Sequence, residues 1–447
     1  MKVPNHDQSV FRKRGKIFSI TGLIIIFSLI ILNITIVTTA DDLELMLIGT
    51  PTPTRSSNSY LLEAQALAGA GNLGGAISSY KEALAFNPEN VVALTEMSRL
   101  QVYYSRLLTP NLGYTQLQEA LENIQTAVEM DPESSDAQAI RALVLDWLAT
   151  NASTPFEDRE SYLLEANQAA TQALQLDNSN ALALAFRAEI LADQLRFDQA
   201  TQLAEQAVAL EPNSMDTHRV YAYVLESTRY YSQAIEEYKA AAAVEPNMTF
   251  LYISIGQNYR QLQLYDQALQ YFDRAASINK SIGIQDPLPY LAIAKTYTRQ
   301  GEFFAAARNA EVALSFDYTN PDLYGQLGYI RSQARNFEGS IPMLECAVEG
   351  CEILYDEVFG VIPLVDATEE QLQTLERIQV QGLPLNNGSV VYYYVYSSML
   401  AAFGLCDKAT VFMDELEAEY GGDNTIMAIV DENRQVCQIF AQEQSNN

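Results

Sequence analysis

Histidine is nearly missing from this chain, which has two among its 447 residues. His6 and His218 are far apart in the sequence, and neither is close to a cysteine. The chain therefore has too few histidines for a His-rich metal site, and a His-based catalytic triad is not expected. The densest glycine group, around residues 69–75, has no following Lys-Ser or Lys-Thr and is not a phosphate loop. We therefore expect no catalysis, no metal and no cofactor, with a carboxylate-dependent hydrolase as the remaining enzymatic alternative.

Basic residues are also scarce. Lys and Arg total 27 against 56 Asp and Glu, which gives a formal net charge of -29 and a pI near 4.3. Nucleic acid and anionic lipid headgroups both need a basic surface, so we exclude nucleic acid and disfavour lipid headgroups as partners. The acidity indicates a soluble, self-repelling surface, although attraction of a basic partner is a second interpretation.

One long apolar run stands near the N-terminus, at residues 17–39. About 22 apolar residues are enough to cross a hydrocarbon layer of ~30 Å as a helix. Basic residues precede the run, and this excess places the N-terminus in the cytoplasm. We predict a cytoplasmic tail (1–16), a transmembrane signal anchor (17–39) and a linker (40–56), with the remainder outside the cell membrane. The alternative is a signal peptide cleaved near Ala40, which would leave a secreted protein.

The few cysteines all lie in the C-terminal quarter, at Cys346, Cys351, Cys406 and Cys437. An even number in an exported chain suggests two disulfides, for which three connectivities are possible. We favour Cys346–Cys351 with Cys406–Cys437, because each pair then closes a local hairpin or a helix end.

Small and aromatic residues recur at an interval of 34 along the chain. The columns are Ala188, Ala222 and Gly256; Phe197, Tyr231 and Tyr265; Ala200, Ala234 and Ala268; and Ala207, Ala241 and Ala275. Small residues allow paired helices to approach closely, and aromatic residues fill the space between pairs. Pro212 and Pro246 follow the same interval and mark the stop of each second helix. After residue 282 the register continues with a four-residue shift.

These columns resemble the tetratricopeptide repeat. The best copy carries Tyr252, Ile255, Gly256, Tyr259, Ala268 and Phe272. It matches the family signature at every position except the terminal proline, where Lys280 stands. The resemblance implies stacked helical hairpins whose first helices line a concave groove, and in the family this groove usually binds an extended or helical peptide.

We expect an all-α fold, an α-solenoid of about nine such hairpins with a C-terminal capping helix, preceded by one transmembrane helix. Repeats 1–8 would span 57–353, with copies at 57–90, 91–134, 135–180, 181–214, 215–248, 249–282, 287–320 and 321–353. The second and third carry insertions. A divergent last repeat near 390–423 and a capping helix would make up 390–447.

Residues 354–389 break the repeat. They contain an apolar stretch interrupted by Gly360 and Pro363, then a helix predicted to begin near Thr368. We expect an insertion that either acts as a spacer packed on the array or folds back into the groove.

Projecting the periodicity onto the first helices gives the side chains expected to face the groove. They are Arg219, Tyr223, Glu226, Ile253, Gln257, Arg260, Leu291, Lys295, Arg299, Gly325, Tyr329 and Gln333. Four of them form a predicted basic strip that suits a carboxylate or an acidic peptide, namely Arg219, Arg260, Lys295 and Arg299. Val220, Ser254 and Ala292 differ from relatives that clamp C-terminal carboxylates, so that specificity is not carried over.

Three alternatives stay open for this surface. The cations could make local ion pairs, for instance with Glu226, and contribute little. Tyrosines could instead stack on a glycan, which would make the chain an envelope or surface-polymer protein. Our first interpretation is a membrane-anchored extracytoplasmic scaffold that binds a protein or peptide, and the oligomeric state is open.

Overall fold

A computed structural model describes residues 24–32, 55–356, 360–363 and 368–445, and it divides the chain into two units, Met1–Ser56 and Ser57–Asn447. In the first unit residues 24–32 form helix α1, whose apolar side chains, such as Ile24 and Phe27, are exposed. Within the described ranges no helix is both long enough and apolar enough to cross a membrane. Most of the predicted tail, anchor and linker lies outside the described residues.

The second unit is an array of nine helical hairpins. The first five are α2 (Ser57–Gly69) with α3 (Leu73–Phe86), α4 (Val91–Ser105) with α5 (Pro110–Met130), α6 (Ser135–Thr150) with α7 (Phe156–Leu176), α8 (Ala181–Asp193) with α9 (Phe197–Leu210), and α10 (Met215–Ser227) with α11 (Tyr231–Val244).

Four further hairpins and a last helix complete the array. They are α12 (Thr249–Gln261) with α13 (Tyr265–Ser281), α14 (Leu288–Gln300) with α15 (Phe303–Phe316), α16 (Pro321–Gln333) with α17 (Phe337–Val348), α19 (Val390–Ala402) with α20 (Cys406–Tyr420), and α21 (Asn424–Ser445). The predicted solenoid of nine hairpins with a capping helix is confirmed in outline.

The ends of the helices follow from local sequence. In four repeats the second helix ends directly before a dipeptide whose second residue is proline. For example, α9 ends at Leu210, and Glu211-Pro212 follows. After three of these dipeptides the next first helix begins with a polar cap, as where the side chain of Asn90 accepts a hydrogen bond from the amide of Ala93. The turns inside seven hairpins each contain one residue with positive φ, and five of these residues are Leu195, Arg229, Gln263, Gly301 and Arg335. These positions keep the interval of 34 and show the four-residue shift.

The two predicted insertions lengthen helices. Helices α5 and α7 have 21 residues each, whereas α9, α11 and α15 have 14. The extra residues near 110 and 156 therefore extend the second helices of repeats 2 and 3 at their N-terminal ends.

The described residues between 350 and 381 include a small antiparallel sheet that was not predicted. Its strands β1 (Gly350–Asp356), β2 (Gly360–Pro363) and β3 (Arg377–Gln381) have the order β2-β1-β3. Helix α18 (Glu369–Thr374) begins after Thr368, as predicted. The sheet packs on α17, and Leu354 and Val380 are fully buried. This is the arrangement expected of a spacer that packs on the array.

The two disulfides join neighbouring elements. Cys346 of α17 is bonded to Cys351 of β1, and Cys406 of α20 is bonded to Cys437 of α21. The pairing favoured from the sequence is the one present, and it ties the inserted sheet and the capping helix to the last two repeats.

The first half of the array coils back on itself. Asn247, at the turn between α11 and α12, donates from Nδ2 to the carbonyl oxygen of Gly69 at 2.8 Å. Tyr103 of α4 stacks on Phe250 of α12 with ring centroids 5.2 Å apart. Repeats 1 and 2 therefore touch repeats 5 and 6, although 147 or more residues separate the partners in these two contacts (250 − 103 and 247 − 69).

The small-residue column sets the spacing of helix pairs. A Cβ added at Gly256 would lie 2.7 Å from Cδ1 of Phe272. We predict that Gly256→Leu lowers the thermal midpoint and costs at least ~1–3 kcal/mol, because the added side chain must push α13 away from α12. Circular dichroism melts would measure this. Gly422→Leu is the matched control, since its Cβ would meet nothing within 4 Å, and equal melting of both variants would contradict the register.

Candidate functional site

Arg219 does not lie free in a groove, so its assignment to an exposed basic strip is wrong. Its side chain is buried, and it donates to both carboxylate oxygens of Glu189 at 2.8 and 2.6 Å. Its guanidinium carbon also lies 5.5 Å from the ring centre of Tyr103. The coil brings α4 over α10, and this covers the face of α10 that the repeat pattern leaves exposed. The ion-pair partner is Glu189 of the previous repeat, not Glu226.

A second buried ion pair stands beside the first. Asp216 of α10 accepts hydrogen bonds from the hydroxyl of Tyr103 and from Nη1 of Arg99, the latter at 2.8 Å. Burial alone lowers the pKa of Arg99, but the attraction of Asp216 and Glu96 raises it well above its usual range. Both arginines therefore stay charged, and the two pairs join repeat 2 to repeats 4 and 5.

The other three cations of the predicted strip do come together. Arg260 of α12 reaches α14, where its Nη1 donates to the carbonyl oxygen of Ala292 at 3.2 Å. Burial and repulsion from Arg299 lower the pKa of Arg260 to about 10. Burial also lowers the pKa of Lys295, with repulsion from Arg260 acting against the attraction of Asp322. We call Arg260, Lys295 and Arg299 the basic cluster.

Among the residues that the structure describes, the basic cluster has no counter-ion in close contact. Across the described part of the chain, none of its three side chains lies within 4.0 Å of a carboxylate oxygen. Nε of Arg260 is buried without a hydrogen-bond partner. Asp322 is engaged by the hydroxyl of Tyr392 at 2.5 Å. Two partly desolvated cations, Arg260 and Lys295, beside the exposed Arg299 in a chain of net charge -29 are suited to an external anion.

The remaining predicted groove residues divide into two groups. Tyr223 and Gln257 line a cavity inside the coil, and Tyr329 is half-buried and close to Tyr394. Ile253, Leu291 and Gly325 are buried, so their predicted exposure is wrong. Neighbouring first helices pack tightly there, and a Cβ at Gly325 would lie 2.6 Å from Tyr392. Arg106, Asp146 and Phe250, which line the same cavity, follow no repeat column and were missed.

One repeat of the array matches a known family of repeats. A family model described as tetratricopeptide repeat matches residues 251–282, the copy predicted as the best. No curated protein matches. The match shows that the chain carries a tetratricopeptide repeat.

Three solved structures of similar fold show how distant the likeness is. A thermophilic TPR protein of Thermus thermophilus is 22% identical, covers 45% of this chain and 98% of its own, and has a TM-score of 0.38. A tetratricopeptide repeat protein of Parabacteroides merdae is 16% identical, with coverages of 62% and 99% and a TM-score of 0.37. Human IFIT1, solved as a dimer with m7Gppp-AAAA, is 14% identical, with coverages of 69% and 75% and a TM-score of 0.45.

The buried pair between Arg219 and Glu189 generates a stability prediction. Arg219→Met should cost about 3–5 kcal/mol, because Glu189 then remains charged and buried without its partner. Adding Glu189→Gln should recover at least about 1 kcal/mol, since it removes that charge and keeps an acceptor for Nε1 of Trp147. Urea denaturation midpoints of the two single variants and the double variant measure this. Additive losses would contradict the pairing.

Proposed function

We propose that the chain is a non-enzymatic scaffold, anchored by residues 17–39 with its array outside the cell membrane. Its basic cluster would bind an acidic segment or a terminal carboxylate of a partner protein. Three adjacent cations support this function, because none of them has a counter-ion in close contact in the described part of the chain.

The chemistry of the cluster suits a carboxylate. Arg260 and Arg299 can each offer two parallel N–H donors to one carboxylate, and Lys295 adds a point charge. Arg260 and Lys295 are partly desolvated, and each is repelled by a neighbouring cation, so a bound anion would relieve an existing cost. This difference favours an external partner over solvated surface charges, which would show little pKa change.

Anchoring is supported by the sequence around α1. The apolar run is framed by basic residues on one side and acidic residues on the other, and the described helix within it exposes isoleucine and phenylalanine side chains. Such a surface is stable in lipid and costly in water.

The glycan alternative has less support. Five of the largest fully buried side chains are tyrosines, at positions 103, 252, 324, 392 and 396. Tyrosines that pack repeats together are unavailable for stacking on a sugar ring. Protein binding is therefore better supported than glycan binding.

Peptide binding by the full chain in detergent tests the proposal. A fluorescein-labelled peptide rich in Asp and Glu should bind, and high salt should weaken it. Replacing Arg260, Lys295 and Arg299 with Gln should reduce affinity at least about tenfold, since each lost charge-assisted hydrogen bond is worth roughly 1.5–3 kcal/mol. Fluorescence anisotropy measures both effects.

The matched control replaces three exposed cations outside the cluster with Gln, namely Arg196, Lys280 and Arg308. It changes the net charge by the same amount and should bind as the native chain does. Equal loss in both variants would show that only overall charge matters, and unchanged binding in the cluster variant would contradict the proposed site. An amidated peptide would separate a terminal carboxylate from acidic side chains.

A further inference from the structure

His218 lies in α10, and both nitrogens of its ring face an acceptor. Nε2 lies 2.9 Å from the carbonyl oxygen of Pro212, in the turn that precedes α10. Nδ1 lies 2.6 Å from Oε2 of Glu237 on α11. The side chain of His218 is 12% exposed and that of Glu237 is 25% exposed, so water competes only in part for these contacts. The ring therefore connects α10 to α11 and to the turn between repeats 4 and 5.

The position of His218 in the repeat shows which way the first bond runs. Tyr252 and Tyr324 occupy the same position in repeats 6 and 8, and each donates its hydroxyl to the carbonyl oxygen six residues earlier, at 2.8 and 2.9 Å. Pro212 is likewise six residues before His218. Since a carbonyl oxygen can only accept, Nε2 of His218 carries a proton and donates in place of the tyrosine hydroxyl.

The second bond needs a second proton. A neutral ring that donates from Nε2 has a lone pair on Nδ1. At 2.6 Å this lone pair would face an oxygen of Glu237, and two acceptors at that distance repel each other. A proton must therefore lie between Nδ1 and Oε2, as in an imidazolium paired with a carboxylate. His218 makes both contacts only while it shares this additional proton, whereas tyrosine at the same position does not titrate near neutral pH.

Glu237 is the charged group that faces this ring. Its hydrogen bond raises the pKa of His218 above 6.5, although burial acts in the opposite direction, and among the described residues no other charged side chain shifts it. On the helices packed against α10, Glu205 of α9 accepts from a tyrosine hydroxyl and Glu189 of α8 is paired with an arginine. Asp216, on α10 itself, is held by groups of α4.

We propose that His218 is a proton-dependent pin, which in its protonated state holds α10 to both α11 and the preceding turn. When the pair loses its shared proton to water, Nε2 keeps its bond to Pro212 and the contact with Glu237 is lost. Helix α10 also carries Asp216 and Arg219, which join repeat 5 to repeats 2 and 4. The pin therefore makes the central repeat of the coil sensitive to pH, and it does not depend on the proposed function.

The direction of the pH effect follows from the raised pKa. The folded-state pKa of His218 lies above its unfolded value of ~6.5. Its contribution to stability is therefore fully present below pH ~6.5 and is lost as pH rises through the folded-state pKa. Repeat 5 should be held more firmly in mildly acidic than in mildly alkaline solution.

A titration followed by NMR tests the pin directly, because the sequence has two histidines. The full chain in detergent, with carbon-13 in its histidine rings, should give two Cε1–Hε1 signals, and His6→Gln identifies that of His218. Its midpoint should lie above 6.5 in the native chain and fall to 6.5 or below in Glu237→Gln, where burial acts without the carboxylate.

The matched control is Glu236→Gln, which removes an exposed carboxylate from the neighbouring position on α11. It should leave the midpoint of His218 as it is in the native chain. A native midpoint at or below 6.5 would overturn the proposal. So would equal midpoints in the native chain and both variants.

His218→Tyr tests the consequence for stability. The variant gives repeat 5 the residue that repeats 6 and 8 have, so it should keep a donor for Pro212 and lose the pH dependence. From pH ~6 to pH ~9, the thermal midpoint of the native chain should fall by about 1–2 °C relative to that of the variant. All other titrating groups are common to both chains and cancel in this difference. A difference that is constant, or that changes in the opposite direction, would overturn the proposal.

Discussion

Asp216 holds the first half of the molecule closed. Its carboxylate lies on the first helix of repeat 5 and receives hydrogen bonds from Tyr103 and Arg99 on the first helix of repeat 2. A repeat array normally gains its stability from neighbouring repeats alone. Here contacts between distant repeats add to that stability. The ring of Tyr103 also stacks on Phe250 in repeat 6.

This closure forms the cavity and covers part of the predicted groove. With α4 brought against α10 and α12, the faces of the first helices become the wall of an enclosed space instead of an exposed surface. Arg219 is covered, and Asp146 loses most of its solvent. The basic cluster lies on α12 and α14, and within the described ranges its cations form no ion pair.

The sequence predicts well what depends on local chemistry. The interval of 34 and the prolines located the hairpins, and Gly256 was correctly placed against a second helix. Closure could not be predicted in the same way, because it depends on small rotations added over several repeats. In addition, Asp216 belongs to none of the columns of residues that recur at the interval of 34. Arg219 was misplaced for that reason. The strand around Leu354 was missed because short apolar runs do not distinguish strand from helix.

Repeat 1 touches the turn between repeats 5 and 6, and this contact should persist in solution. Spin labels on Gly69→Cys and Ala243→Cys would measure it, because the four native cysteines are all in disulfides and do not react. We expect strong dipolar coupling between the labels in the native background, and its loss when Asp216→Ala removes the acceptor for Arg99 and Tyr103. Weak coupling in the native chain, or coupling unchanged by Asp216→Ala, would contradict this account of the fold.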